Sequence, residues 1–467
     1  MHALRPGTRT VCDPACGDGR FLSAAAAVHL SGEVGLHSFG GDLAGRPADA
    51  GEASVVEANT LVAGLATWPD APAEGFDLVI GNPPFRGQLR EETWLRAEER
   101  AQLIERYGDV ARGYVDTASL FLVAACEMAA PTGRVAFIMP MSFLAARDAA
   151  PARRRVLELA TLEGLWICPD FVFPDAQVQV CAVILDRSGP RKRPVRRWVG
   201  EDFDPIEPAV VDSDQLMDAP TWSHLAAPAF GVPEVALESH GTLSQLVTAT
   251  AGFRDEYYGL AELVCEAPDP TDGGSAPVIT SGLIDPGAIV WGHRSARIAR
   301  RDWTAPTVRL GRIDTTSSLG RWVAARRHPK LLVATQTKVI EAAPDPDGNL
   351  VPLTPVIAVH AAGEELWRAL AVLLAPPVTA HALSRYLGVA RSAGAIKLSA
   401  SQVLDLPLPV DQQRWDDAAR VLADAHDPAA GGVPRDAVLA AATRMTEAYR
   451  CDHGVLGWWM RRLPRVD

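Results

Sequence analysis

The residues best suited to chemistry stand together in the stretch Phe76–Gly87, FDLVIGNPPFRG. Asn82 brings a side-chain amide, Pro83 and Pro84 bring carbonyls without N–H donors, and Phe85 brings an aromatic ring. An amide oxygen and a backbone carbonyl in a stiff loop can accept hydrogen bonds in set directions, while a ring beside them can stack on a flat ligand. The two prolines supply that stiffness by fixing their own φ. A second stretch lies upstream, Val11–Leu22, VCDPACGDGRFL. Gly17 and Gly19 let the backbone approach a ligand closely, because neither carries a Cβ. Asp13 and Asp18 suit hydroxyls or an ammonium group better than a phosphate. Neither stretch calls for a metal or a covalent nucleophile.

Such residues need elements to hold them. Leu78, Val79 and Ile80 read as a short buried strand, stopped by prolines that cannot donate to a sheet ladder. Thr10-Val11-Cys12 reads as the end of another strand, and Phe21–His29 as an alanine-rich helix, so the small-residue loop between them sits at a helix amino terminus. Gly35–Leu43 predicts a second strand ending at Asp42, where an acid can accept from ribose hydroxyls. Ser54–Leu61 predicts a third strand and its loop, with Asn59 in the loop. An amphipathic helix is expected over Tyr114–Ala130, a strand over Gly133–Pro140, and a last strand over Val178–Asp186 that closes the sheet. The three arginines Arg153-Arg154-Arg155 are expected on a solvated helix face. This is an α/β chain whose sheet offers a ligand site at its carboxyl edge.

DPACGDGRFL and NPPF resemble the two signature motifs of adenine-N6-specific DNA methyltransferases, in the class whose cofactor motif precedes the NPPF motif. The resemblance covers roughly the first 190 residues and continues more loosely to about residue 410. It implies a Rossmann-like sheet that binds S-adenosylmethionine, followed by an α+β target-recognition domain and a helical tail. It places Asn82, Pro83, Pro84 and Phe85 in catalysis. It assigns the cofactor to Asp13, Ala15, Cys16, Gly17, Gly19, Phe21, Asp42 and Asn59, the last standing where relatives commonly have an acid. Phe173 matches an aromatic that packs on an extruded base. Relatives carry a further helix and loop before the first strand, so the expectation is either that the true start lies upstream or that another segment or subunit completes the cofactor pocket. The activity implied is methyl transfer to the N6 amine of a flipped adenine in duplex DNA, in bacterial restriction-modification or anti-phage defence. The same motif also serves RNA adenine and protein glutamine, and a DNA-binding subunit with little catalysis alone is the reading of a different class.

At 467 residues the chain is expected to hold two or three domains. The expected division is residues 1–190 for catalysis, 191–237 as a basic then acidic, proline-rich linker, 238–410 for target recognition and 411–467 as a helical segment. Seven cysteines without a CxxC pair, no apolar run of transmembrane length and no signal-peptide core point to a soluble cytoplasmic protein with no membrane partner. The net charge of -12 sits awkwardly with a DNA partner. The charge is uneven, however. Trp291–Ile340 holds eleven Lys/Arg against two acids, Asp302 and Asp314. A basic stripe in an acidic chain is the footprint of a nucleic-acid face. Arg326, Arg327 and Lys330 from that stripe, and Lys397 from a flexible basic loop over Arg391–Lys397, are the expected DNA contacts. A defence-system or restriction partner subunit is a further expected partner.

Overall fold

A computed structural model describes residues 4–29, 35–44, 53–85, 97–112, 116–170, 172–173, 178–190, 192–207, 211–252, 254–267, 274–388 and 394–464. The chain divides into two units. The first is Met1–Gly231 with Leu387–Ala393, and the second is Val232–Tyr386 with Gly394–Asp467.

The first unit is built on one nine-stranded sheet. Its strands are β1 (Thr10–Asp13), β2 (His37–Asp42), β3 (Ser54–Glu57), β4 (Phe76–Gly81), β5 (Ala129–Pro140), β6 (Thr161–Ile167), β7 (Val180–Asp186), β8 (Arg196–Val199) and β9 (Asp204–Pro205), in the order β3-β2-β1-β4-β5-β7-β6-β8-β9. The five strands from β3 to β5 run parallel, and β7 is antiparallel to both its neighbours. Strand order reverses between β1 and β4, which is where open α/β sheets bind ligands at their carboxyl ends. Both chemistry-bearing loops leave the sheet there. Val11, Leu22, Leu78 and Ile80 share one buried cluster beneath them. Such near-continuous apolar strands are those of a sheet covered on both faces.

Several expectations need correction. Val180–Asp186 does not close the sheet but lies inside it, flanked by β5 and β6. The helix Thr117–Met128 is not amphipathic: all its residues but Glu127 are buried. The expected linker belongs to the first unit as far as Gly231, where Val195, Trp198, Leu216 and Trp222 give it apolar anchors, and to the second unit from Val232. Arg153 is not solvated. It is 2% exposed and donates to the carbonyls of Phe143, Ala146 and Pro220 at 2.7, 3.0 and 2.8 Å. Burial pushes its guanidinium down to about 10.

The second unit carries two four-stranded sheets. One is antiparallel and joins Thr248–Ala251, Ile357–His360, Lys330–Val333 and Ala342–Asp345. The other joins Val264–Glu266, Pro306–Arg309, Ser275–Ile279 and Val351–Pro352. The C-terminal helices Gln412–Asp424, Arg435–Ala448 and His453–Arg462 belong to the same unit rather than forming a separate one, and Trp415, Tyr449 and Trp459 are buried in it. No single described helix is long and apolar enough to cross a membrane.

Candidate active site

Strand β1 ends in Asp13, and its carboxylate turns back to accept the Ala15 N–H at 3.1 Å. That short turn shapes the loop over Pro14–Gly19. Cys16 donates its N–H to the Gly41 carbonyl at 3.0 Å, and Gly19 donates to the Cys16 carbonyl at 2.7 Å. Gly17 and Gly19 have φ of +49° and +81°, so the loop needs residues that tolerate the left-handed region. Nothing lies within 4 Å of where a Gly17 Cβ would stand; that side of the loop is open. The Gly17 N–H donates to Asp42 Oδ2 at 3.1 Å, and Ala44 donates to Asp42 Oδ1 at 2.8 Å. Asp42, at the end of β2, thus ties its own loop to the glycine loop of β1.

Strand β4 delivers Asn82 to the same edge. Pro83 is buried, and the Pro84 carbonyl accepts from Thr117 Oγ1 at 2.9 Å. Thr117 opens the helix that Asp116 caps by accepting from the Ala118 N–H at 3.0 Å. The loop is therefore pinned by its prolines and by a capped helix. The Asn82 Oδ1 atom is buried and has no hydrogen-bond partner among the described residues. A buried amide oxygen without a donor carries an unmet cost of about 1–3 kcal/mol.

These pieces line one cleft of about 420 Å³. Ala15, Gly17, Asp42 and Asn59 form one part of its wall; Asn82 and Pro84 form another. The Asn59 Nδ2 group donates to Glu99 Oε1 at a long 3.5 Å. Six further lining residues escaped the sequence reading: Pro14, Leu43, Ala44, Ala58, Thr60 and Phe121. Leu43 is an exposed apolar residue directly after the strand-end acid, a signal that was legible in principle. Thr60 donates from Oγ1 to the Pro14 carbonyl at 2.7 Å, and Phe121 comes from the buried helix, far along the chain from either motif.

The other candidates lie elsewhere. Asp13 is 1% exposed and sits beneath the cleft, where burial lifts its carboxyl to about 7, opposed by the Ala15 N–H and reinforced by Asp42 and Asp18. It shapes the loop instead of lining the cleft. Cys16 is buried too, and burial pushes its thiol up to about 12. Phe21 is 37% exposed; Phe85 and Phe173 are half-buried and do not line the cleft. In the second unit, Arg327 and Lys397 are exposed. Two of the expected DNA contacts are buried instead. Lys330 is fully buried against Asp345, so its charge is spent inside the unit. Arg326 lies 4.2 Å over the Trp322 ring and donates to the Ala251 carbonyl at 3.2 Å. Lys397 lies in a short strand paired with Gln336, and residues 391–393 of the expected basic loop fall outside the described residues. So do residues 86–96, which follow the NPPF loop.

Residues 51–170 match the Eco57I restriction-modification methylase family. A putative type II restriction enzyme and methyltransferase of Methanocaldococcus jannaschii is 30% identical over 118 residues, which is 25% of this chain and 9% of that protein. The chain thus spans only a small part of that relative's length. The type IIL restriction-modification enzyme MmeI, solved in complex with DNA, superposes with a TM-score of 0.61 at 14% identity, over 96% of this chain and 70% of that one. The MmeI likeness speaks for the fold, and the match over residues 51–170 covers β4, the NPPF loop and the helix behind it. The chain is thus similar to restriction-modification methylases over residues 51–170 and shares the fold of MmeI.

Proposed function

We propose that the protein is a DNA methyltransferase of a restriction-modification or defence system that methylates the N6 amine of adenine in duplex DNA. The observation that carries this reading is the buried Asn82 Oδ1, without a hydrogen-bond partner among the described residues, in the wall of the cleft that Gly17 and Asp42 also line. A buried acceptor oxygen in that wall fits a donor that arrives with substrate.

The cleft fits S-adenosylmethionine by its donor set. Asp42 offers carboxylate oxygens for ribose hydroxyls, Leu43 and Ala58 offer apolar contact for a purine, and the open side of Gly17 leaves room for the amino-acid end. When bound, that cofactor supplies an electrophilic methyl on a sulfonium. The chain's own residues do the rest. The adenine amine is a weak nucleophile, because its lone pair is delocalised into the ring. Asn82 Oδ1 accepts one amine hydrogen and the Pro83 carbonyl the other. Both acceptors favour a pyramidal nitrogen and stabilise the positive charge that grows on it. Phe85, half-buried next to Pro84 and outside the cleft wall, offers its ring to a base held at the loop. The base must leave the stack to reach the loop, at a cost of about a few kcal/mol. The pinned loop replaces general-base chemistry by positioning; the amine proton departs to water after transfer.

The test is methylation of genomic DNA with a labelled methyl donor, read as N6-methyladenine. Label on N6 supports the reading. Label on cytosine, or on RNA or protein in place of DNA, overturns it.

A further inference from the structure

We propose that the hairpin formed by Ala296–Ile298 and Arg301–Trp303 reads base edges in duplex DNA, with Arg300 at its tip directed to a guanine. This rests on the DNA-methyltransferase reading above.

The hairpin pairs Ala296 with Trp303, Arg297 with Asp302 and Ile298 with Arg301. Only Ala299 and Arg300 are left for the loop. Both have positive φ, +50° and +67°. A two-residue loop with both residues in the left-handed region is the type I′ pattern, for which Asn-Gly is the favoured pair. Here the second position holds an arginine, whose Cβ makes that conformation unfavourable. Only four non-glycine residues have positive φ among the described residues, and two of them are adjacent in this loop. A glycine would relieve the strain, so the arginine is kept at a cost to folding. Outliers of this kind gather where a side chain must be presented in a set direction.

The scaffold beneath is rigid. Ala296 and Ile298 are 4% and 1% exposed, and Ile298 packs in the cluster that holds Leu260 and Val308. The Ala299 N–H donates to the Tyr257 hydroxyl at 3.1 Å, which fastens the loop itself. Above this base, Arg297, Arg300 and Arg301 are exposed, and none of them forms an ion pair among the described residues. Asp302 is the one acid in the hairpin. Tyr258, 52% exposed, places its ring 5.3 Å from the ring of Tyr257. Exposed guanidiniums beside an exposed aromatic make a nucleic-acid face. A two-stranded ribbon fits the major groove, and an arginine there bonds guanine O6 and N7 together. Arg297 and Arg301 flank the tip and serve phosphates.

The test compares the full chain with its Arg300→Gly and Arg300→Lys variants. Each is expressed in a host free of other adenine methylation, and methylated sites are read by single-molecule sequencing. Arg300→Gly is expected to raise the melting temperature while methylation at sites altered in one G·C pair rises at least tenfold relative to the wild-type site. Arg300→Lys keeps the charge but not the paired donors, and is expected to relax the same position. An unchanged recognition sequence in both variants overturns the proposal. So does an equal loss at every site, which is the mark of a phosphate contact. Wild-type chain that methylates no duplex sinks the functional reading as well, and is told apart by that control.

Discussion

Gly81, the last residue of β4, lies against the carboxylate of Asp13, the last residue of β1: a Cβ on Gly81 would stand 2.7 Å from Asp13 Oδ1. The two motifs are thereby joined below the cleft. The acid that shapes the glycine loop touches the residue that launches Asn82.

Gly81→Ala is the direct test of this contact. The Asp13 carboxyl must shift, yet it is buried and bonded to Ala15. Overpacking of this kind costs about 1–3 kcal/mol. A lowered melting temperature and slower methyl transfer are expected together. A variant with wild-type stability and turnover would show that the two loops move independently.

The Asp13 carboxyl is lifted from 3.8 to about 7 by burial, then by Asp42 and Asp18, against the pull of the Ala15 N–H. The native chain therefore keeps a proton that the unfolded chain releases. The stability that proton brings is full below the ordinary carboxylate value and is lost as pH climbs through about 7. Glu341, raised to about 8 by burial and by Asp285, acts in the same sense. Asp13→Asn keeps an oxygen for the Ala15 N–H and cannot ionise. Its melting temperature should fall less than that of wild type between pH 5 and 8. Parallel slopes for the two proteins would place the ionisation elsewhere.

Asn82→Ala removes the buried acceptor in the cleft wall. Loss of one such group from a site where charge develops typically costs about 100- to 1000-fold in rate. Single-turnover methylation should drop on that scale, with cofactor and DNA affinity within a few-fold of wild type. A proportional loss of DNA binding, with the bound complex reacting at its normal rate, would remove the amide from catalysis.

Lys330 and Arg327 stand three residues apart and should behave oppositely. Lys330→Met leaves Asp345 buried and uncompensated, which costs about 3–5 kcal/mol of stability. The salt dependence of DNA binding by the folded fraction should not change. Arg327→Ala should leave stability nearly untouched and reduce the salt slope by about one. Salt titrations of both variants decide this, and a reduced slope for Lys330→Met would contradict its interior placement.

The parallel sheet and both site loops were legible in the sequence for a local reason. Apolar strands, the two prolines after Asn82 and the glycines at 17 and 19 encode their conformations within a few residues. Strand order was not legible, because β8 adds to the sheet through pairing with β6, across some thirty residues of chain. Charge was misread for the same reason. Arg153, Arg326 and Lys330 look alike as solvated cations in one dimension, and only packing puts Asp345 or the Trp322 ring beside them. Local sequence determined that an amide, an acid and a glycine loop exist at strand ends. Tertiary structure alone decided that Asp42 faces the cleft while Asp13 lies beneath it, since burial is set by what crosses above a residue and not by its neighbours in the chain.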